Sequence, residues 1–524
     1  MLCLLLPLSS MASEDLRLRF DALDSGFPLM AADQPLAATE PLQRFYRANG
    51  FKLAWWQQGR LSDQAQELLD AMVKAVEQGL MPVDYHYPLL RARMATETLA
   101  MSERAQVDLE LLLSDGFILL AAHLSEGKVN PETIDPEWHA QRHGEDLEHL
   151  LASALAEQSV GNHLAALSPV HPEFRALKQA RQHMARLTSE PWPNLRSSTL
   201  VRPGQESELM PALRHRLILL EDLARDDVDS EASQSSSTYD QQLAAALARF
   251  QARHGLEADG IIGPATLAAL NVTPFQRVHQ LDVNLERWRW LPRHLGDRYV
   301  LVNIAGFRLQ YIENGAQVME QRVIVGRDYR RTPVFSDHIR YLEFSPTWTV
   351  PPSLAVRDQL PQIRKDPDYL QRLGFKVYNG WGAGRETVDP HSVDWQSLTA
   401  RNFPYRLVQQ PGPSNALGQV KFMFPNRFNV YLHDTPSRDL FRQADRAFSS
   451  GCVRIENPMD LAQALLAGDS DWTRPRIDDL VASGRTRAVN LRHPVPVHIQ
   501  YWTAWADEQG QLQLRKDLYN RDGP

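Results

Sequence analysis

Val430-Tyr431-Leu432-His433-Asp434-Thr435 and, after a short variable stretch, Phe448-Ser449-Ser450-Gly451-Cys452-Val453-Arg454 decide the reading of this chain. An imidazole and a thiol in that order suggest a Cys–His nucleophilic pair. Thiolate is the reactive form of cysteine; a free thiol with a pKa of about 8.5 is mostly protonated at neutral pH, and a neighbouring His can lower that value. Gly451 lets the backbone approach a substrate closely. The N–H groups around Gly451 and Cys452 are then expected to face a developing oxyanion. A lone Cys is commonly a small buried hydrophobe. Cys452 instead follows a small polar turn, Ser449-Ser450-Gly451, and the only other cysteine is Cys3, close to the first residue.

These residues resemble the active-site motif of the L,D-transpeptidases, enzymes that cross-link bacterial peptidoglycan through a cysteine. The family pattern is a His, a gap, then Ser/Thr-His-Gly-Cys. Here the fifteen residues 434–448 separate His433 from Ser449-Ser450-Gly451-Cys452. Ser450 stands where many members carry a second His, so no role of that His transfers to this chain. The large, multi-domain periplasmic branch of the family also tends to have Ser there. Phe344-Ser345-Pro346-Thr347-Trp348-Thr349-Val350-Pro351, Pro411-Gly412-Pro413-Ser414-Asn415-Ala416-Leu417-Gly418, Lys421-Phe422-Met423-Phe424-Pro425-Asn426 and His433-Asp434-Thr435-Pro436 resemble signatures of that branch. The resemblance covers most of the chain. It implies Cys452 as nucleophile and His433 as base.

Composition sets the outer bounds. A chain of 524 residues is too long for one core, so roughly two to four domains are expected. A hydrophobic share of 43% marks a globular protein, and a formal charge of -8 with no block of Lys or Arg argues against a nucleic-acid partner. Residues 1–12 read as the remnant of a signal peptide: a short apolar core with a small-residue finish at Ser10-Met11-Ala12, lacking the positive leading region. A disordered apolar N-terminus is the alternative. Export to the periplasm also explains the cysteine count, because removal of Cys3 leaves Cys452 with no intramolecular partner. No other stretch reaches the ~18 apolar residues of a membrane span. The nearest, 109–124, is interrupted by Asp115, Gly116 and His123.

The pattern along the chain predicts a multi-domain α+β protein. Residues 13–204 form a helical scaffold, by apolar spacing at three and four. One stripe is Leu68, Leu69, Met72, Val73 and Val76, ended by Gly79 and Pro82; another is Leu109, Leu112, Leu113, Gly116, Leu119 and Leu120. His143 and His149 lack a metal-ligand spacing. Residues 205–275 resemble a small three-helix peptidoglycan-binding module. Leu243, Leu247 and Phe250 mark one helix face, Asp259-Gly260 a turn, and Pro264 the start of the last helix. A Ser- and Asp-rich stretch, 226–238, reads as a flexible insertion within it. From about 298 the period becomes two, with strands near 299–304, 307–312 and 321–325 and a hairpin at Asn314-Gly315. Residues 295–524 are thus a β-rich catalytic domain that closes with strands at 497–501, 503–506 and 512–514. Between 353 and 412 the strand signal lapses, a helix is expected over 365–373, and Gly380-Trp381-Gly382-Ala383-Gly384 reads as a loop. In the large branch of the family this region caps the active site.

The expected chemistry is acyl transfer in two steps, with no metal and no cofactor. The family resemblance implies a tetrapeptide stem as donor, cut between its third and fourth residues, and a second stem as acceptor. The products would be 3-3 links that serve cell-wall biogenesis and cell shape, and carbapenems would acylate the enzyme. Arg454 follows the nucleophile by two and could hold a substrate carboxylate, or pair with Glu456 or a carbonyl. Trp348, Tyr405, Phe424 and Asn426 are further cleft candidates, with core packing as the alternative for the aromatics. The partners are peptidoglycan stems and glycan; the oligomeric state is open. The rivals are a carboxypeptidase or endopeptidase with water as acceptor, an enzyme linking a protein to the wall, and a non-catalytic wall-binding scaffold. No HExxH and no Gly-rich phosphate loop is present.

Overall fold

The computed structural model describes residues 11–95, 101–139, 144–225, 235–382, 386–468 and 471–523. Residues 1–10 of the leader, His143, most of the Ser-rich insertion, and Ala383 and Gly384 lie outside the described residues. Met11 and Ala12, read above with the leader, lie in helix α1 (Met11–Asp24), which buries Ala12, Leu16 and Phe20.

The N-terminal part is helical. Helices α1, α2 (Thr39–Ala48) and α3 (Asp63–Ala75) all pack against α4 (Glu103–Glu126). In α3 the buried face is Ala65, Leu68, Leu69, Met72 and Ala75, while Val73 is 48% exposed; the apolar run is wider than the face that the core accepts. The following turn ends at Gly79, whose φ of 77° only glycine adopts freely. Helix α4 is apolar on nearly all sides, which places it at the centre of the scaffold. Its two buried acids are satisfied by hydrogen bonds. Glu110 accepts from the Ala54 and Trp55 N–H groups and the Tyr46 hydroxyl. Asp115 accepts from the N–H groups of Ala37 and Ala38, just ahead of α2, and pairs with His86.

Helices α5 (Pro172–Arg186), α6 (Met210–Leu219), α7 (Gln241–Arg253) and α8 (Pro264–Asn271) follow. The last three form a small core of Leu213, Leu217, Leu243, Leu247, Phe250, Ile262 and Leu270. Asp240 caps α7 through the Leu243 N–H. Helix α9 (Pro274–Arg289), closed at its start by a Thr273/Gln276 capping box, was not read from the sequence. It packs Leu281, Leu285 and Trp288 against Phe174, Leu177 and Met184 of α5. From its other face Asn284 bonds Thr503, and Arg287 pairs with Asp522. One helix thereby joins the scaffold to the C-terminal β domain.

The β domain is built from β1 (Arg298–Asn303), β2 (Arg308–Glu313), β3 (Ala316–Gly326) and β4 (Phe335–Phe344). A cap follows, containing β5 (Trp348–Thr349), β6 (Phe375–Asn379), β7 (Thr387–Val388) and β8 (Tyr405–Gln409). The domain resumes with β9 (Val420–Met423), β10 (Leu432–His433), β11 (Ala447–Ser449), β12 (Val453–Ile455) and β13 (Arg487–Gln500), and ends with β14 (Ala504–Ala506) and β15 (Leu512–Leu514). Its nine-stranded sheet runs β11-β3-β12-β10-β9-β4-β13-β1-β2, and pairing of β2 with β3 closes it into a barrel. Asn314 and Gly315, both with positive φ, make the tight β2–β3 turn. Val300, Leu342, Phe422, Leu432, Val453 and Ile499 fill the interior.

The cap corrects the sequence reading. Where the strand signal lapses, β6 and β8 pair within their own four-stranded sheet, over a separate core of Val350, Leu360, Ile363, Leu370, Val377 and Leu407. These strands are too short for their alternation to stand out. The helix expected over 365–373 is split into Leu360–Lys365 and Tyr369–Arg372. Pro367 disfavours helical backbone at Asp366, which is extended.

Candidate active site

His433 is held between two neighbours. It pairs with Lys421 across antiparallel β9 and with Arg454 across parallel β12. Only 4% of the residue is exposed. Burial, and then the charges of Arg454 and Lys421, push its pKa down to about 3. Nδ1 lies 2.5 Å from the Asp434 carbonyl oxygen, an acceptor only, so the ring proton belongs on Nδ1 and Nε2 keeps its lone pair. Asp434 is itself fixed: its carboxylate accepts from the N–H groups of Gln419 and Thr435 and pairs with Arg438.

Cys452 lies partly exposed on the floor of a cleft of about 1470 Å³ that His433 also lines. Its Sγ is 3.9 Å from the Asn429 carbonyl oxygen. Burial pushes the thiol pKa up; contacts with the Tyr431 N–H and hydroxyl and the charges of Lys421 and Arg454 oppose that rise. From the sequence, a neighbouring His is expected to lower the thiol pKa; burial raises it instead. His433 is neutral at physiological pH because it is buried, so it supplies no positive charge to stabilise a resting thiolate.

The turn that carries Cys452 is wired from beneath. Ser449 Oγ donates to the Cys452 carbonyl at 2.5 Å and accepts from the Gly451 N–H at 3.1 Å. Thr332 Oγ1 donates to the Gly451 carbonyl at 2.8 Å. Gly451 sits at φ 113°, where other residues are strained, and a Cβ there would stand 3.3 Å from the Arg331 carbonyl oxygen. From the sequence, the Gly451 N–H is expected to face an oxyanion; it is instead occupied within the turn by Ser449 Oγ. The Cys452 N–H has no hydrogen-bond partner among the described residues.

The other candidates divide. Arg454 lines the cleft; Glu456 is taken by Arg322, and the Arg454 Nε is buried without a partner among the described residues. Trp348 also lines the cleft, packed on Phe375. Phe424, Asn426 and Tyr405 do not. Phe424 is 1% exposed and packs on Phe335 in the barrel core. Asn426 donates to the Phe424 and Val430 carbonyls and accepts from the Phe428 and Val430 N–H groups, so its side chain is spent on shaping a loop. Tyr405 packs on Trp395 and Phe403 within the cap. Sequence reasoning missed Tyr431 and Lys421. Tyr431 lies two residues before His433, just ahead of β10, and the two ring centroids are 5.6 Å apart. The Lys421 ammonium sits 4.6 Å over the Tyr431 ring. Asp135 and Glu137 of the scaffold also line the cleft, next to the Trp138–Val334 bridge that ties scaffold to barrel.

Three family models match this chain. Residues 40–180 match a "Scaffold domain", residues 211–270 a "Putative peptidoglycan binding domain", and residues 297–482 an "L,D-transpeptidase catalytic domain". Over 244 residues the chain is 39% identical to a Haemophilus influenzae protein described as "Putative L,D-transpeptidase"; the match takes in 46% of this chain and 48% of the relative. The chain thus spans about half the length of the curated relative it matches. Crystal structures of L,D-transpeptidases from Xylanimonas cellulosilytica and Stackebrandtia nassauensis also align. The first is 15% identical, over 58% of this chain and 100% of that one, with a TM-score of 0.19. The second is 14% identical, over 57% of this chain and 94% of that one, with a TM-score of 0.22. Scores that low carry no argument about the fold. Residues 297–482 thus match the L,D-transpeptidase catalytic domain, on the same chain as matches to a scaffold domain and a peptidoglycan-binding domain. Strand β13 lies beyond the matched span, yet it completes the barrel between β4 and β1.

Proposed function

We propose that this chain is a peptidoglycan L,D-transpeptidase that cross-links stem peptides through an acyl-enzyme on Cys452. The observation that carries this reading is the neutral, tautomer-fixed His433 on the strand beside the Cys452 turn, both lining one cleft. Nε2 of His433 takes the thiol proton as Sγ attacks the carbonyl of the third stem residue. A carbon–sulfur bond forms and the carbon–nitrogen bond to the fourth residue breaks, with the proton passed to the departing amine. The Cys452 N–H is the oxyanion donor of this mechanism; loss of one such donor typically costs ~3 kcal/mol. A side-chain amine of a second stem then attacks the thioester. Its proton leaves through His433, and sulfur regains a proton as the carbon–sulfur bond breaks.

Arg454 is the proposed anchor for a donor carboxylate, because it reaches the cleft without a carboxylate of its own. The module at 205–275 is proposed to hold the glycan or stems of the wall, and the protein to act in the periplasm. Among the described residues no helix is long and apolar enough to cross a membrane. The test is product mass. Purified protein incubated with tetrapeptide-containing muropeptides should give cross-linked dimers shortened by one terminal residue. Tripeptide alone, with ample acceptor present, would make the enzyme a carboxypeptidase, and no product in either form would refute the acyl-transfer reading.

A further inference from the structure

Arg330 links the cap to the turn that carries Cys452. Arg330, on the loop after β3, makes a bidentate pair with Asp358: Nη1 is 2.6 Å from Oδ2 and Nη2 is 2.8 Å from Oδ1. The same Nη1 lies 2.9 Å from the Ser450 hydroxyl oxygen, two residues before the nucleophile. Asp358 belongs to the cap, in a single π turn at Ala355–Gln359. Such turns widen a helix locally and are frequent at functional sites. Among the described residues, no other ion pair joins residues 348–409 to the rest of the chain.

The loop that carries Arg330 is itself rigid. The Arg330 N–H donates to the Arg327 carbonyl, and the Arg327 N–H donates to the Ser449 carbonyl. The loop folds so closely over Gly326 that a Cβ there would stand 2.2 Å from the Arg330 carbonyl oxygen. The Arg330 side chain is 14% exposed and that of Asp358 36%. A planar guanidinium can satisfy a carboxylate with one fork and a hydroxyl at the same time; an ammonium cannot reproduce that geometry. The short Ser450 side chain leaves room for this arrangement.

We propose that Arg330 is a positioning residue that latches the cap onto the catalytic turn, and that this latch decides whether an amine or water consumes the Cys452 acyl-enzyme. The inference rests on the acyl-transfer reading above. On the opposite side the cap is attached through its two chain connections, at β5 and after β8. Losing the latch frees the π turn to swing away from Ser450 and admits water to the thioester.

The experiment compares the full-length wild type with Arg330→Ala, Arg330→Lys, Asp358→Asn and the Arg330→Ala/Asp358→Asn double variant. The readout is the ratio of cross-linked dimer to hydrolysed tripeptide by mass spectrometry. Arg330→Ala and Asp358→Asn should each lower that ratio on the order of tenfold, the scale of a charged hydrogen bond. Arg330→Lys should fall between them and the wild type, and the double variant should fall no further than either single. Equal loss of both products, or additive losses with a lowered melting temperature, would reduce Arg330 to a structural role and overturn the proposal. Should Arg330→Ala fail to fold, the nearly isosteric Asp358→Asn decides alone. A wild type that makes no acyl product would refute the parent reading only. The latch is then judged by iodoacetamide: faster alkylation of Cys452 in Asp358→Asn supports it, and an unchanged rate overturns it.

Discussion

Nδ1 of His433 and the carbonyl oxygen of Asp434 stand 2.5 Å apart, and this contact sets the chemistry available to the site. A carbonyl oxygen can only accept, so the imidazole must donate from Nδ1 and offer Nε2 as a base. Acid–base work of this kind needs the ring neutral before attack, and burial keeps it so. In the proposed reaction the pair acts as a general base beside a thiol rather than as a resting thiolate–imidazolium couple.

The pH dependence of Cys452 alkylation should expose that difference. Burial holds His433 neutral down to about pH 3, and the thiol titrates above its ordinary value. Deprotonation of the thiol accelerates alkylation, so the rate should climb with pH and inflect above ~8.5, the free-thiol value. No step should appear near pH 6.5. Iodoacetamide kinetics between pH 4 and pH 10 would measure this, and a step near neutrality would instead reveal an ion pair.

Acylating β-lactams, carbapenems above all, should trap the first half of the proposed reaction. Intact-mass spectrometry is expected to find one adduct, and peptide mapping to place it on Cys452. Cys452→Ser should form none while keeping its melting temperature, because an alcohol has a far higher pKa than a thiol and His433 cannot activate it equally. His433→Ala should slow adduct formation by ~10²–10⁴-fold, the usual worth of a general base.

Gly418 predicts how tightly His433 must be held. It adopts φ 61°, and a Cβ there would stand 2.3 Å from the Asp434 carboxylate. That carboxylate braces the same residue whose carbonyl orients the imidazole. Gly418→Ala should therefore cost about 1–3 kcal/mol of stability, the range for strained backbone. It should also lower the alkylation-normalised rate of product formation. A variant with unchanged melting and activity would show that the Asp434 brace does not matter.

What was legible in the sequence follows from what is local. Strands β1 and β2 alternate cleanly and meet their turn at Asn314-Gly315, so the start of the barrel could be read. The order of chemical groups around His433 and Cys452 survives in a short motif, and so does their shared cleft. Closure of the barrel could not be read, because it also needs β12 to pair with β3, which joins Arg454 to Ile324 and Ile455 to Val323, residues far apart in sequence. The Arg330–Asp358–Ser450 contact had no spacing to betray it. Phe424 and Tyr405 failed as cleft residues because an aromatic ring packs equally well in a core and beside a ligand, and only the tertiary neighbours distinguish the two. Tyr431 was recoverable: it lies two residues before His433, just ahead of β10.

Arg454 carries the last prediction. Its expected alternative partner, Glu456, is committed to Arg322 on the neighbouring strand, which leaves the guanidinium facing the cleft with an unpartnered Nε. Burial lowers its pKa, so the site already bears the cost of a desolvated cation before any substrate arrives. A donor carboxylate would relieve that cost. Arg454→Gln should then lower kcat/KM about 10–100-fold, matching ~1.5–3 kcal/mol for hydrogen bonds to a charged group. Arg454→Lys should recover only part of it, since an ammonium cannot hold a carboxylate through two parallel bonds. The melting temperature should stay level or rise, because an unpaired buried charge has been removed. Muropeptides whose stem carboxylates are amidated supply the decisive comparison: the wild type should lose activity on them, while Arg454→Gln should barely distinguish the two substrates. Equal discrimination by both proteins would place the carboxylate elsewhere in the cleft.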